Sequence, residues 1–336
     1  MRRPGVLPDG TTVARAALAI AAVALVSLLF IGSYAGALHE PTPRDVPVAV
    51  SAQVPPALED RIDRSDAFRV VPVPNADDAL REIARGDAYG AVVAGSRGIE
   101  IITAPAAGQA AAAAIAQGLE PDLRSAVADV TTRTVHALPE ADARGLVGFY
   151  TVVGWIVAGY LGATFLGLLF GVRPSLRRTV WRLSGLLALA IVAGLGGAAL
   201  AVWIGDTGSF GLLAVIGLLT VLASGAATTA LQAALGVIGT GVAILVFVVA
   251  GNPSSGGPFP TEMLPEPWRT IGPYIPTGAA VTAFRDAAYF PDAPLGGPLL
   301  VLGAWIVAGV AAALLLARRR RGPGERDAAL AAVMGS

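Results

Sequence analysis

The residue types that do chemistry are scarce in this chain. Among its 336 residues there is no Cys, which excludes disulfides, thiolate metal sites and cysteine nucleophiles. There is no Lys either: all 24 basic residues are Arg. A P-loop needs its Lys on the phosphates, so ATP is not bound here through that motif, and Schiff-base chemistry is excluded. The two His, His39 and His136, lie far apart in sequence and lack ligand spacing. They read as solvated polar residues. No nucleophile, base and metal set converges, so the chain is not expected to be an enzyme, to bind a metal or to carry a cofactor.

Three other sets of polar residues remain. The first is the stretch GNPSSGGPFPTEMLPEPWRTIGPYIP, residues 251–276, with seven Pro and four Gly between apolar segments. Asn252, Pro253, Ser254, Ser255, Trp268, Arg269 and, further on, Arg285 are its candidates for a translocation path or outer gate. The second set is uncharged and lies inside apolar stretches: Ser184, Thr220, Ser224, Thr228, Thr229, Gln232 and Thr240. As function they form a weakly polar translocation surface, with Thr228 and Gln232 the residues to watch. As structure, Ser and Thr bond their own helix or glue neighbouring helices, and Gln232 caps a cytoplasmic turn. The third set is Arg173, Arg177, Arg178 and Arg182. It reads equally as a dock for a cytoplasmic partner or anionic lipid and as a topology signal.

Something must position these groups, and composition says what. The chain is 54% hydrophobic and 14% charged, far below the roughly 25% charge of soluble domains. Membrane helices are therefore expected. Net charge is zero, so no general affinity for nucleic acid follows. Charge-free stretches at 16–38, 146–171, 183–204 and 295–317, with 208–250 long enough for two, give six spans. The turn inside 208–250 is expected near 227–235. Residues 16–38 exceed the apolar core of a signal peptide and read as an uncleaved anchor, with cleavage after AGA (35–37) as the alternative.

Residues 39–145 differ. Sixteen acidic and ten Arg residues make them a soluble domain. VPVAVS (46–51), FRVVPV (68–73), AYGAVVA (88–94) and GIEIITA (98–104) read as strands. Residues 55–64, 75–86 and 106–135 read as helices, the last broken at Gly118–Pro121. The helix at 75–86 carries an Asn cap and two Asp in its first turn. The order is βαβαββα.

Orientation follows from Arg. With the N-terminus inside, residues 1–15, 172–182 and 318–336 are cytoplasmic and hold twelve Arg, as inner loops should. The expected fold is an α-helical integral membrane protein of six transmembrane helices. A small extracytoplasmic α/β domain lies between helices 1 and 2. A Pro-rich outer hairpin, read as re-entrant, joins helices 5 and 6, with a plain surface loop as the alternative. Trp203, Phe149, Tyr150, Phe210 and Phe247 fall at the outer boundary and Trp181 at the inner one.

These pieces resemble the permeases of type-2 ABC exporters, and more closely the branch related to the phage infection protein. VPVAVS (46–51) opens the outer domain in the family's manner. NADDALREIARGDAYGAVVA (75–94) is similar to its acidic, Ala-Leu, Gly, Tyr-Gly-Ala pattern. Residues 251–290 carry the strongest likeness: Asn-Pro, a Ser/Gly pair, LP, a Trp-Arg pair, a P-x-x-P step and a helix holding Arg285. The outer domain is shorter than in larger relatives. SAQ (51–53) replaces the usual Asn-Glu or Asn-Asp. The resemblance implies a permease of the bacterial plasma membrane that works as a homodimer or pseudo-symmetric heterodimer. ATP would act only through a separate subunit. The function expected is outward transport of a lipophilic or drug-like molecule. The alternative is a non-transporting envelope protein whose acidic outer domain binds a wall component, a phage or a protein partner.

Overall fold

Backbone that leaves water must satisfy its own hydrogen bonds, and a helix does so within one segment. The charge-free stretches are helical in this computed structural model, which describes residues 10–95, 98–127, 129–205 and 209–319. Of the basic ends expected at 1–15 and 318–336, residues 1–9 and 320–336 lie outside the described residues. The first helix, α1 (Gly10–Leu38), is nearly bare. Its most apolar 18-residue stretch is 0% buried, and its main contact is at the C-terminal end.

After α1 comes an α/β region: β1 (Val46–Ser51), α2 (Pro56–Asp63), β2 (Phe68–Val73), α3 (Ala76–Ala84), β3 (Gly90–Ala94), β4 (Ile99–Thr103), α4 (Gln109–Ala126) and β5 (Val130–Thr134). The sheet order is β2-β1-β3-β4-β5. β1 runs parallel to β2 and β3, β4 antiparallel to β3, and β5 parallel to β4. All six residues of β1 are buried, as a central strand covered on both faces requires. Val46, Val48 and Val50 pack with Leu58 and Ile115, under α2 and α4. Ala49 packs with Ala79 and Ile83 of α3 on the other face. The Asn75 side chain accepts from Asp78 N at 3.0 Å and caps α3.

The four expected strands form, and one more was folded into the expected last helix. That helix ends at Ala126, and VTTRT (130–134) is β5. The expected break at Gly118–Pro121 is absent, because α4 runs through Pro121. Gly118 instead admits the Phe68 ring, whose Cζ would lie 3.0 Å from a Cβ.

The chain then enters α5 (Val147–Phe170), α6 (Leu176–Gly205), α7 (Phe210–Leu235) and α8 (Ile238–Ile244), which continues as a π-helical segment, Leu245–Ala250. A one-turn helix α9 (Trp268–Ile271), α10 (Pro276–Tyr289) and α11 (Gly296–Arg319) follow. Among the described residues, five helices are long and apolar enough to cross a membrane: α1, α5, α6, α7 and α11. The sixth expected span is only the apolar stretch Ile238–Ala250. At helical rise it covers about 20 Å, against roughly 30 Å of hydrocarbon.

The most enclosed of the five is α7, 61% buried over its most apolar stretch. It packs on α5, α6, α10 and α11. A Cβ on Gly159 of α5 would stand 1.9 Å from Ser224 Oγ and 2.5 Å from Val221 O, so these two backbones meet without side chains between them. The turn expected near 227–235 comes later. Helix α7 runs to Leu235, and Gly236, at φ +69, reverses the chain. Helix α6 begins at Leu176, so Arg177, Arg178 and Arg182 are helical rather than part of a loop. Phe247, expected at the outer boundary, is fully buried in protein, with its ring 5.7 Å from that of Trp305.

Candidate functional site

A π-segment pushes carbonyls out of α register, and they need donors from elsewhere. Ser33 of α1 donates its hydroxyl to Val249 O at 2.5 Å, and Thr277 of α10 donates to Phe247 O at 3.3 Å. Trp268 Nε1 donates to Ser33 Oγ at 2.9 Å, and Asn252 Nδ2 to Tyr34 OH at 2.9 Å. Residues 251–256 are all buried. Ser254 and Ser255 turn their hydroxyls back to Ala250 O and Asn252 O. Asn252 Oδ1 is buried without a partner. Trp305 Nε1 donates to Tyr274 O at 2.9 Å. Trp305 stands nine residues into α11, about 14 Å along its axis.

The rest of the 251–290 stretch grips the sheet from both sides. Met263 enters the core beneath α2 and α4. Phe290 enters the core on the α3 face, its ring 4.9 Å from His136. Arg269 Nη2 pairs with Asp45 Oδ2 at 2.8 Å. Asp142 accepts from Leu146 N and Val147 N at 2.9 and 3.1 Å, capping α5. Tyr289 of α10 donates to the same carboxylate at 3.4 Å, and burial and Asp142 push the Tyr289 phenol up.

Between sheet and hairpin lies a cavity of about 290 Å³ whose walls include Asp87, Tyr89, Glu262, Arg285, Asp286 and Phe290. Tyr89 and Thr261 both donate to Glu262 Oε2, at 2.9 and 3.0 Å. Burial, with Glu262 beside it, raises the Tyr89 phenol. Arg285 spends one amino group on Gly256 O. Burial pushes the Asp286 carboxyl up to about 6; Arg285 pulls it down and Asp87 pushes it further up.

The far ends of the helices carry a second polar cluster. Arg182 is 1% exposed. Its Nη2 donates to Gln232 Oε1 at 2.5 Å and Ala163 O at 3.1 Å, and its Nη1 to Gly171 O at 3.3 Å. Gln232 Nε2 donates to Thr240 Oγ1 at 2.8 Å and Thr164 Oγ1 at 3.5 Å. Helices α5, α6, α7 and α8 are thereby tied at one point. A Cβ on Gly167 would lie 2.8 Å from Gln232 Oε1. Arg182 Nε keeps no partner.

The candidate residues thus divide. Asn252, Pro253, Ser254, Ser255 and Trp268 gather at the π-segment, Arg269 braces the sheet, and Arg285 lines the cavity. Thr228 and Gln232 lie apart from them. Thr228 is fully buried and donates to Ser224 O at 2.7 Å, so it bonds its own helix. The Gln232 side chain caps no turn; its backbone carbonyl takes Gly236 N, and its amide holds Arg182. Arg173, Arg177 and Arg178 are exposed, whereas Arg182 offers no surface to a partner because its guanidinium is enclosed by three helices. Tyr34, Tyr89, Asp142, Glu262 and Asp286 were not legible as site residues. Asp286 alone had a signal, a carboxylate beside Arg285 on an otherwise apolar helix.

Fold and site define a class: a mostly helical protein with five candidate membrane-spanning helices and a small α/β sheet region near its N-terminus. Comparison with known families, curated proteins and solved structures finds no match.

Proposed function

We propose that the chain is the membrane-spanning subunit of an exporter that moves a lipophilic or drug-like molecule outward. It works as a dimer with a separate ATP-hydrolysing subunit, in a bacterial plasma membrane, with both termini cytoplasmic. The carrying observation is the broken sixth segment: a short α/π helix, then buried irregular backbone. Tyr274 is bonded to Trp305 well along α11. Irregular backbone at that depth is tolerated where protein covers it or where it lines a path, and broken helices build transport sites. Residues 251–290 then form a re-entrant hairpin at the outer mouth. A lipophilic cargo is supported by an apolar groove of about 490 Å³ between α5 and α6, walled by Val147, Trp155, Gly197 and Ile204. Exposed Arg173, Arg177 and Arg178 suit a docking partner on the inner side. The resemblance of 251–290 to the type-2 exporter permeases points the same way.

Two experiments test this. The chain, purified with a nucleotide-binding subunit and reconstituted, should show cargo-stimulated ATP hydrolysis; finding neither partner nor transport rejects the exporter. The chain has no Cys, so each introduced Cys reports alone. Membrane-impermeant thiol reagents should miss 272–281 and label 265–270. Uniform labelling from 261 to 285 rejects the hairpin.

A further inference from the structure

The cavity between sheet and hairpin is lined by more carboxylates than cations. Asp87, Glu262 and Asp286 face it, and among the described residues none lies within 4.0 Å of a basic nitrogen. The charge of Asp87 acts on Asp286. Gly86, at φ +77, brings the turn after α3 toward this pair: its Cβ position lies 3.8 Å from Asp286 Oδ1. Glu262 is held through Oε2 by two hydroxyls, which orients the carboxylate. Two arginines, Arg85 and Arg285, share the lining, and Arg285 is drawn to Gly256 O. The aromatic walls are Tyr89 and Phe290.

We propose that this cavity binds a small organic ammonium ion, held by Asp87, Asp286 and Glu262 against the rings of Tyr89 and Phe290. Each wall contributes to that chemistry. Unpaired carboxylates in a partly desolvated cleft attract a cation more strongly than in water. Aromatic faces add cation–π attraction for an ammonium, which a bare metal ion in a carboxylate cage would not need. No group of three metal-ligating side chains occurs among the described residues. A volume of about 290 Å³ suits a ligand of roughly ten to fifteen heavy atoms, near the lower end of ordinary pockets. The two modules that form the walls are joined by Met263 and Phe290, so an occupant bridges sheet and hairpin. The inference stands on the cavity alone and does not require the exporter reading.

The test uses the full chain in detergent at pH 7.5, with benzylammonium and 1,4-diaminobutane as probes. Benzyl alcohol and benzoate serve as neutral and anionic controls. Both cations should raise the melting temperature in a saturable way, and the controls should not. Asp286→Asn and Asp87→Asn should each weaken the apparent affinity at least fivefold. Asp87 is exposed, so its substitution leaves folding intact even if a change at Asp286 or Glu262 does not. Equal stabilisation by benzoate, no stabilisation by either cation, or cation affinity unchanged in both Asn variants would overturn the proposal.

Discussion

The two polar clusters solve opposite problems. At the far end, Arg182 is a cation among helices whose two amino groups are taken by an amide and two carbonyls. At the sheet side, three carboxylates line an open cavity beside Arg85 and Arg285, and among the described residues none of the three lies within 4.0 Å of a basic nitrogen. A buried charge is tolerated when its hydrogen bonds are met, so the far cluster is spent on holding helices together. The sheet-side groups keep unused capacity, which is what binding needs. The same contrast holds for the backbone. The irregular carbonyls near the sheet are met by Ser33 and Thr277 from two other elements, so that junction depends on three segments staying in register.

The comparison breaks most sharply at Gln232. Replacing Gln232 with Leu leaves a buried guanidinium short of its best acceptor. A loss on the order of 3 kcal/mol is expected, read as a lowered melting temperature in detergent. The double variant Gln232→Leu with Arg182→Leu should recover most of it, because no charge is then left buried. If the single variant is neutral, the far cluster is not structural.

Asp286 gives the next effect, and it depends on pH. Its folded carboxyl is raised from 3.8 to about 6, so the folded state favours the protonated form. The stability it contributes is complete below about pH 4 and is lost as pH rises through 6. The swing is on the order of 2 kcal/mol. Arg285, Asp87, Tyr89, Glu262 and Arg85 share the cleft with it. Asp286→Asn should flatten this part of the pH–stability profile and stabilise the protein at pH 7. An unchanged profile would show that Asp286 is better solvated than its place in the cleft implies.

A smaller effect is expected at Asp142. Asp142→Ala uncaps α5 and frees Tyr289, costing about 1 to 2 kcal/mol. Amide exchange should rise at Leu146 and Val147 first. Last comes Arg269→Ala. The pair with Asp45 is partly exposed, so its loss should cost under about 1 kcal/mol. Its signature is a dependence on salt that Gln232→Leu does not show.

Much of the fold could be read in advance because local patterns sufficed. Runs of Val and Ile gave β1 to β4, Asn75 gave the start of α3, and the absence of charge gave the long helices. β5 escaped because VTTRT follows an Ala-rich helix without a strong turn signal. The α7–α8 turn was misplaced because 43 uncharged residues offer one effective punctuation mark, Gly236. Candidate site residues were legible where composition was odd, in the Pro-rich stretch, but not where ordinary residues converge from afar. Nothing near Tyr89 announces Glu262, 173 positions away.

By itself the sequence determined that this chain has long apolar helices, a charged α/β insert and neither Cys nor Lys, because composition and periodicity act locally. Tertiary structure decided how its few charges are used. Arg182 stands among the Arg residues that mark a loop, yet α6 starts early enough to carry it inside, where Gln232 waits. Asp286 looks like a surface carboxylate, yet Met263 and Phe290 pin the sheet over it. Burial and partnership arise from packing between distant segments, and no local pattern encodes them.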